Sequence, residues 1–149
     1  MVNTIFNFYA YSNKLAAGGQ PTEEQIIALK DDGFEAIVSI SPTSTKNYLP
    51  AEAEVTEKLN LEYVHYPIDC SNLKDNHYHM FKNIMKGLAG KKVFVHCGGN
   101  IKSSNLIHMY NVLEHGVSEK ESIKELKRIQ QPEEKWFDYF KRMGLQGLS

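Results

Sequence analysis

Residues 93–105 read VFVHCGGNIKSSN. A β-branched apolar run delivers Cys97 onto Gly98 and Gly99, and Asn100, Ile101, Lys102, Ser103 and Ser104 follow as an apolar helical pattern begins. A cysteine at the carboxyl end of a strand, just ahead of a helix, faces that helix's unpaired N–H groups and its positive dipole end. The field favours anions and lowers a thiol pKa from about 8.5 towards neutrality, which turns a small buried hydrophobe into a nucleophile. The glycine pair permits φ values that other residues avoid, so successive N–H groups can turn inward as a nest around a tetrahedral anion. The chemistry this spacing suits is thiolate attack on a bound anion. The plainer alternative is a cysteine packed at a strand end above a tight glycine turn.

The elements that must position this loop follow from period and punctuation. Thr22 with Gln25 three residues on forms a capping box for a helix running to about Lys30, and Gly33 stops it. FEAIVSI at 34–40 reads as a buried strand, AEAEVTEKL at 51–59 as a short helix, and LEYVHYPI at 61–68 as a second strand. A helix over 76–89 carries Phe81, Ile84, Met85 and Leu88 on one face and ends at Gly90. KKVFVH at 91–96 is a third strand, apolar on both faces as in a covered parallel sheet. Helices follow over 102–115, over 118–129 with Ser118 and Glu121 as capping partners, and over 132–143 from a proline start. Alternation at this spacing predicts an α/β fold with a mainly parallel sheet of four to five strands flanked by helices.

Composition sets the bounds. A chain of 149 residues with 42% hydrophobic and 23% charged side chains predicts a single domain over 1–149. Seventeen Lys and Arg are dispersed among eighteen Asp and Glu, so neither a nucleic-acid partner nor a membrane-binding basic patch is expected. No apolar run reaches the ~20 residues of a membrane span, and MVNTIFNFYA lacks the features of a signal peptide, so a cytoplasmic location is expected. Cys70 and Cys97 are too few for a disulfide framework. The histidines form no close helical pair of the zinc-site kind, and no metal or other cofactor is expected.

LAAGGQPTEEQIIALKDDGFEAIVSI at 15–40, and YPID with the later VFVHCGGNIKSS, resemble the cysteine-dependent tyrosine and dual-specificity phosphatases. The match is to the small bacterial branch related to the phosphatase domain of beta-lactamase-hydrolase-like proteins, and it covers roughly residues 15–115. The resemblance implies a dual-specificity-phosphatase-like fold and Cys97 as nucleophile. It implies phosphate or sulfate binding by residues 98–104, and Asp69, in the loop after YPI, as general acid, with Asp75 in reserve. In the wider superfamily His-Cys is followed by five residues, then Arg and Ser or Thr, which places Ser103 at the arginine. In the bacterial branch the loop is one residue shorter, which places Lys102 there with Ser103 next. The shorter register preserves a cation. In either register the arginine is replaced: lysine offers a point charge where arginine grips two phosphoryl oxygens, so turnover should suffer more than binding.

Ser103 and Ser104 are expected to hydrogen-bond the thiolate or cap the helix, and His96 to position the loop through backbone contacts. Cys70 could act as a resolving thiol for Cys97. The expected activity is phosphate-monoester hydrolysis through a phosphocysteine, with reduced turnover. A catalytically weak homologue that captures phosphorylated ligands is the second reading, and persulfide transfer by Cys97 the third. Composition and motifs leave the oligomeric state open.

Overall fold

The fold is taken from a computed structural model that describes residues 1–149. Five strands form one sheet: β1 Tyr9–Ala10, β2 Leu15–Gly18, β3 Ala36–Ser39, β4 Glu62–His65 and β5 Val93–His96, in the order β1-β2-β5-β3-β4. Only the β1–β2 pair is antiparallel. The helices are α1 Glu23–Asp31, α2 Glu52–Lys58, α3 Asp75–Gly87, α4 Ile101–His115, α5 Glu119–Ile129 and α6 Glu134–Arg142. Strand and helix therefore alternate from β2 to β5, as the periodicity predicts.

The pleat explains why the strands read as continuous apolar runs. Successive side chains point to opposite faces, and here both faces are covered. On β5, Val93 and Val95 enter a core with α3, α4, α5 and α6, while Phe94 enters a second core with Ile26, Leu29 and Val55 of α1 and α2. On β3, Ala36 and Val38 take the first face and Ile37 the second. Helix α4 runs through the larger core with residues 103–110 all buried, so it is enclosed all the way round, the polar Ser103, Ser104, Asn105 and His108 included.

The capping signals are realised as read. Thr22 accepts from the Gln25 N–H while Gln25 Oε1 accepts from the Thr22 N–H, and Ser118 Oγ accepts from the Glu121 N–H. Gly33 and Gly90 adopt left-handed φ of 90° and 85° at the ends of α1 and α3. The sequence pattern gave no sign of β1 or of β2 as strands. LAAG is short and built of residues with little strand preference, yet β2 lies beside β5 and is held by its full register, Leu15 opposite Val93 through Gly18 opposite His96.

Candidate active site

The carboxyl ends of the four parallel strands meet at one edge of the sheet, where open α/β folds hold ligands. Four segments come together there: 19–20 after β2, 41–50 after β3, 66–72 after β4, and the Cys97 loop after β5. Gly19 bridges Gly99, and the Gln20 N–H donates to the Gly98 carbonyl. A Cβ on Gly19 would sit 2.8 Å from the Gly98 oxygen, and one on Gly98 would sit 2.9 Å from Thr45 Cγ2. Close approach of the Gly98 carbonyl to Gly19 and of the Thr45 side chain to Gly98, rather than unusual φ, is what requires glycine at these two positions. Neither Gly98 nor Gly99 adopts left-handed φ; that conformation falls on Asn100, at φ 65°. The short polar side chain of asparagine tolerates it.

The hydrogen bonds of the loop define its orientation. The Cys97 carbonyl faces His96 Nδ1 at 3.3 Å. The Gly98 carbonyl accepts from Gln20 N–H at 3.1 Å and Asn47 Nδ2 at 3.0 Å. Asn7 Nδ2 donates to the Gly99 carbonyl, Ser104 Oγ to that of Asn100, and Gln130 Nε2 to that of Ile101. In a planar trans peptide the N–H of the following residue points opposite to the carbonyl. Five successive carbonyls are thus turned to the scaffold, and the N–H groups of residues 98–102 are turned the other way. None of the N–H groups from Gly98 to Ser103 donates to an acceptor in the chain. This is a row of oriented donors at a helix N-terminus, an arrangement that suits an oxyanion.

Cys97 itself is buried, 2% exposed, and belongs to the larger core. Strand-end packing alone would bury the thiol too; the outward-held carbonyls are what distinguish an anion loop from a simple turn. Ser104 Oγ donates to the Asn100 carbonyl and accepts from Gln130 Nε2, a role in shaping the loop. Ser103 Oγ, fully buried, has no hydrogen-bond partner in the chain.

Lys102 and Asp69 stand close enough to feel each other's charge. Lys102 Nζ donates to the Ile68 carbonyl at 2.6 Å, tying the first turn of α4 to the segment after β4. Asp69 Oδ1 accepts from Ser71 Oγ at 2.7 Å and Ser71 N–H at 3.0 Å. The Ser71 hydroxyl, then its N–H, then the Lys102 and Lys135 charges hold this exposed carboxyl below the usual carboxylate range. Asp75, the reserve candidate, is paired with Arg142 Nε at 3.0 Å at the start of α3. Cys70 lies in a 3-10 turn, Cys70–Asn72, and lines a separate cavity of about 310 Å³ with Lys135, Tyr139 and Arg142. Both cysteines are free thiols. No helix is long and apolar enough to cross a membrane, and no three His, Cys, Asp or Glu side chains gather as a metal-binding group.

His96, expected to position the loop, meets a partner there that was not foreseen. Glu52, at the start of α2, and His96 are both wholly buried, with His96 Nε2 2.5 Å from Glu52 Oε2. Gln20 Nε2 donates to Glu52 Oε1 at 2.7 Å. Tyr63 of β4 also faces this carboxylate, and its hydroxyl is pushed well up, first by burial and then by the Glu52 charge. AEAEVTEKL offers three glutamates of like appearance, and only the fold singles out one. A helix-start glutamate after Pro50 is the sole local signal.

The strand order and the loop after β5 define a dual-specificity-phosphatase-like fold. A putative phosphatase of the DUF442 group from Shewanella putrefaciens superposes with TM-score 0.81 over 94% of this chain and 90% of its own, at 25% identity. TpbA of P. aeruginosa, in a cysteine-to-serine form in complex with pTyr, superposes with TM-score 0.75 over 95% of this chain and 86% of its own, at 14% identity. The family model "DSP-PTPase phosphatase fused to NAD+ Kinase" matches residues 9–139, and the chain belongs to that family. "Putative tyrosine phosphatase 197R" of Invertebrate iridescent virus 6 is 31% identical over 101 residues, 63% of this chain and 36% of that protein. The chain therefore spans about a third of the length of this curated relative.

Proposed function

We propose that the chain is a phosphatase that hydrolyses phosphate monoesters through a phosphocysteine, with the protein or small-molecule phosphoester as substrate class. The observation that carries the reading is the set of five loop carbonyls held by scaffold donors, which leaves the N–H groups of 98–102 oriented for phosphoryl oxygens. Cys97 Sγ attacks phosphorus, the P–O ester bond breaks, and the leaving oxygen takes a proton from Asp69. Water then attacks the phosphocysteine with Asp69 as base, releasing inorganic phosphate and restoring the thiolate. Loop N–H groups and Lys102 stabilise the equatorial oxygens. That TpbA is seen with pTyr makes an aryl phosphate the first substrate to try.

The test is steady-state hydrolysis of an aryl phosphate by wild type, Cys97→Ser and Asp69→Asn. Cys97→Ser should lose turnover while inorganic phosphate still binds, because the donors are backbone. Asp69→Asn should lose roughly a hundred- to ten-thousandfold with aryl or alkyl esters. Phosphate binding in all three without turnover in wild type would instead identify a phosphate-capturing homologue. That second reading has its own observations: Lys102 is engaged with Ile68, and Asp69 is held ionised by Ser71, so neither stands ready for chemistry.

A further inference from the structure

The pair formed by Glu52 and His96 lies outside the steps just described, yet it touches the loop at its first peptide. Both side chains are wholly buried, and every polar atom of the pair has a partner: Gln20 Nε2 on Glu52 Oε1, His96 Nε2 on Glu52 Oε2, and the Cys97 carbonyl on His96 Nδ1. A count of protons constrains this arrangement. A carbonyl oxygen only accepts, so a hydrogen bond at Nδ1 requires a hydrogen there. The contact between Nε2 and Oε2 needs one further proton, on either side, since two lone pairs would repel.

We infer that Glu52 is a positioning residue for Cys97: the proton it shares with His96 Nε2, carried on Oε2 or on Nε2, is additional to the one on Nδ1, and that Nδ1–H fixes the Cys97–Gly98 peptide. With the Cys97 carbonyl drawn to the imidazole, the Gly98 N–H points to the opposite side, where the row of loop donors begins. Without Glu52 or a donor in its place, only the Cys97 carbonyl favours the imidazole hydrogen on Nδ1 over Nε2. With the hydrogen on Nε2 the lone pair would face the carbonyl, and the peptide would be free to turn. Gln20, which donates to the Glu52 carboxylate through its side chain, also grips the loop through its N–H on the Gly98 carbonyl. The inference rests on Cys97 being the reactive thiol of the proposed phosphatase.

The experiment has two readouts that do not need turnover. Ring nitrogen resonances of His96 in the wild-type protein should show Nδ1 protonated. The pH profile of Cys97 alkylation by iodoacetamide, followed on the Cys97 peptide by mass spectrometry, should be kept in Glu52→Gln, whose amide can donate to Nε2. In Glu52→Leu it should move to higher pH by roughly one unit. Aryl phosphate kcat should fall about ten- to a hundredfold in Glu52→Leu, as loss of an orienting partner does elsewhere. Glu52→Gln should restore most of it. An unprotonated Nδ1 in wild type overturns the inference, as does a folded Glu52→Leu with an unchanged alkylation profile. If Glu52→Leu does not fold, the wild-type resonances decide. If wild type turns over no phosphate ester, the phosphatase reading fails, while the alkylation and ring data still decide the role of Glu52.

Discussion

Lys102 is where the loop departs most from the pattern it resembles, and the structure gives its side chain an occupation. Its ammonium sits 2.6 Å from the Ile68 carbonyl, on the segment that carries Asp69. Ser103, by contrast, is fully buried, so an arginine at that position would carry a guanidinium into the core. This supports the shorter register, with Lys102 at the cation position. Lys102→Arg should therefore raise aryl phosphate turnover, on the order of tenfold, since a guanidinium can grip two equatorial oxygens where an ammonium cannot. Ser103→Arg should destabilise the protein without raising turnover. Steady-state kinetics and thermal melts of the two variants beside wild type check both statements; a rescue by Ser103→Arg alone would restore the longer register.

At the level of elements, what could be read and what could not divide along a physical line. Capping boxes, apolar runs and glycine stops are local, and they placed α1, α3, β3, β5 and α5 closely. Contacts that close over long stretches of chain were hidden: Glu52 meets His96 across 44 residues, and Asn7 meets Gly99 across 92. Gly98 was legible as necessary, though for a different reason, since the Thr45 side chain crowds it and the left-handed turn passes to Asn100; at Gly99 a Cβ would meet only Phe6, 3.8 Å away. Asn7 shows how the N-terminal segment serves the site. At φ 54° it donates to the Gly99 and Ile129 carbonyls and accepts from Asn100 Nδ2, so it clasps the loop from outside. Asn7→Ala should lower stability by about 1–3 kcal/mol, through lost hydrogen bonds and an unfavourable φ, and should weaken phosphate binding. Asn7→Gly relieves the φ term alone. It should recover part of the stability and none of the phosphate affinity, as read from melts with and without phosphate.

Across the whole molecule, the helical layer behind the loop is joined at His108. From α4 its Nδ1 meets Ser122 Oγ of α5 at 2.7 Å, and its ring packs edge-on against Phe140 of α6 at 4.9 Å. Burial pushes the imidazole down to about 4 from an ordinary 6.5, outweighing the opposing influence of Glu119 and the bond to Ser122. A histidine depressed on folding is neutral in the native state at a pH where the unfolded chain already binds its proton. Its contribution is complete above about pH 6.5, declines as pH falls to about 4, and changes no further below that. The full span corresponds to about 3 kcal/mol by linkage. Carboxylates held low, such as Asp69 and Glu114, give up their contributions only below about 4, so they act outside most of this window. His77, lowered by burial and by Lys74, acts in the same direction and within it. The comparison must therefore be between wild type and His108→Leu rather than wild type alone. Denaturant unfolding at pH 8 and at pH 5 should show wild type losing stability between the two, and His108→Leu losing clearly less. The leucine fills the space between three helices but leaves Ser122 without its partner, so at pH 8 the variant should be the less stable of the two. If both proteins lose the same amount from pH 8 to pH 5, the histidine that joins α4, α5 and α6 is not what makes the fold sensitive to acid.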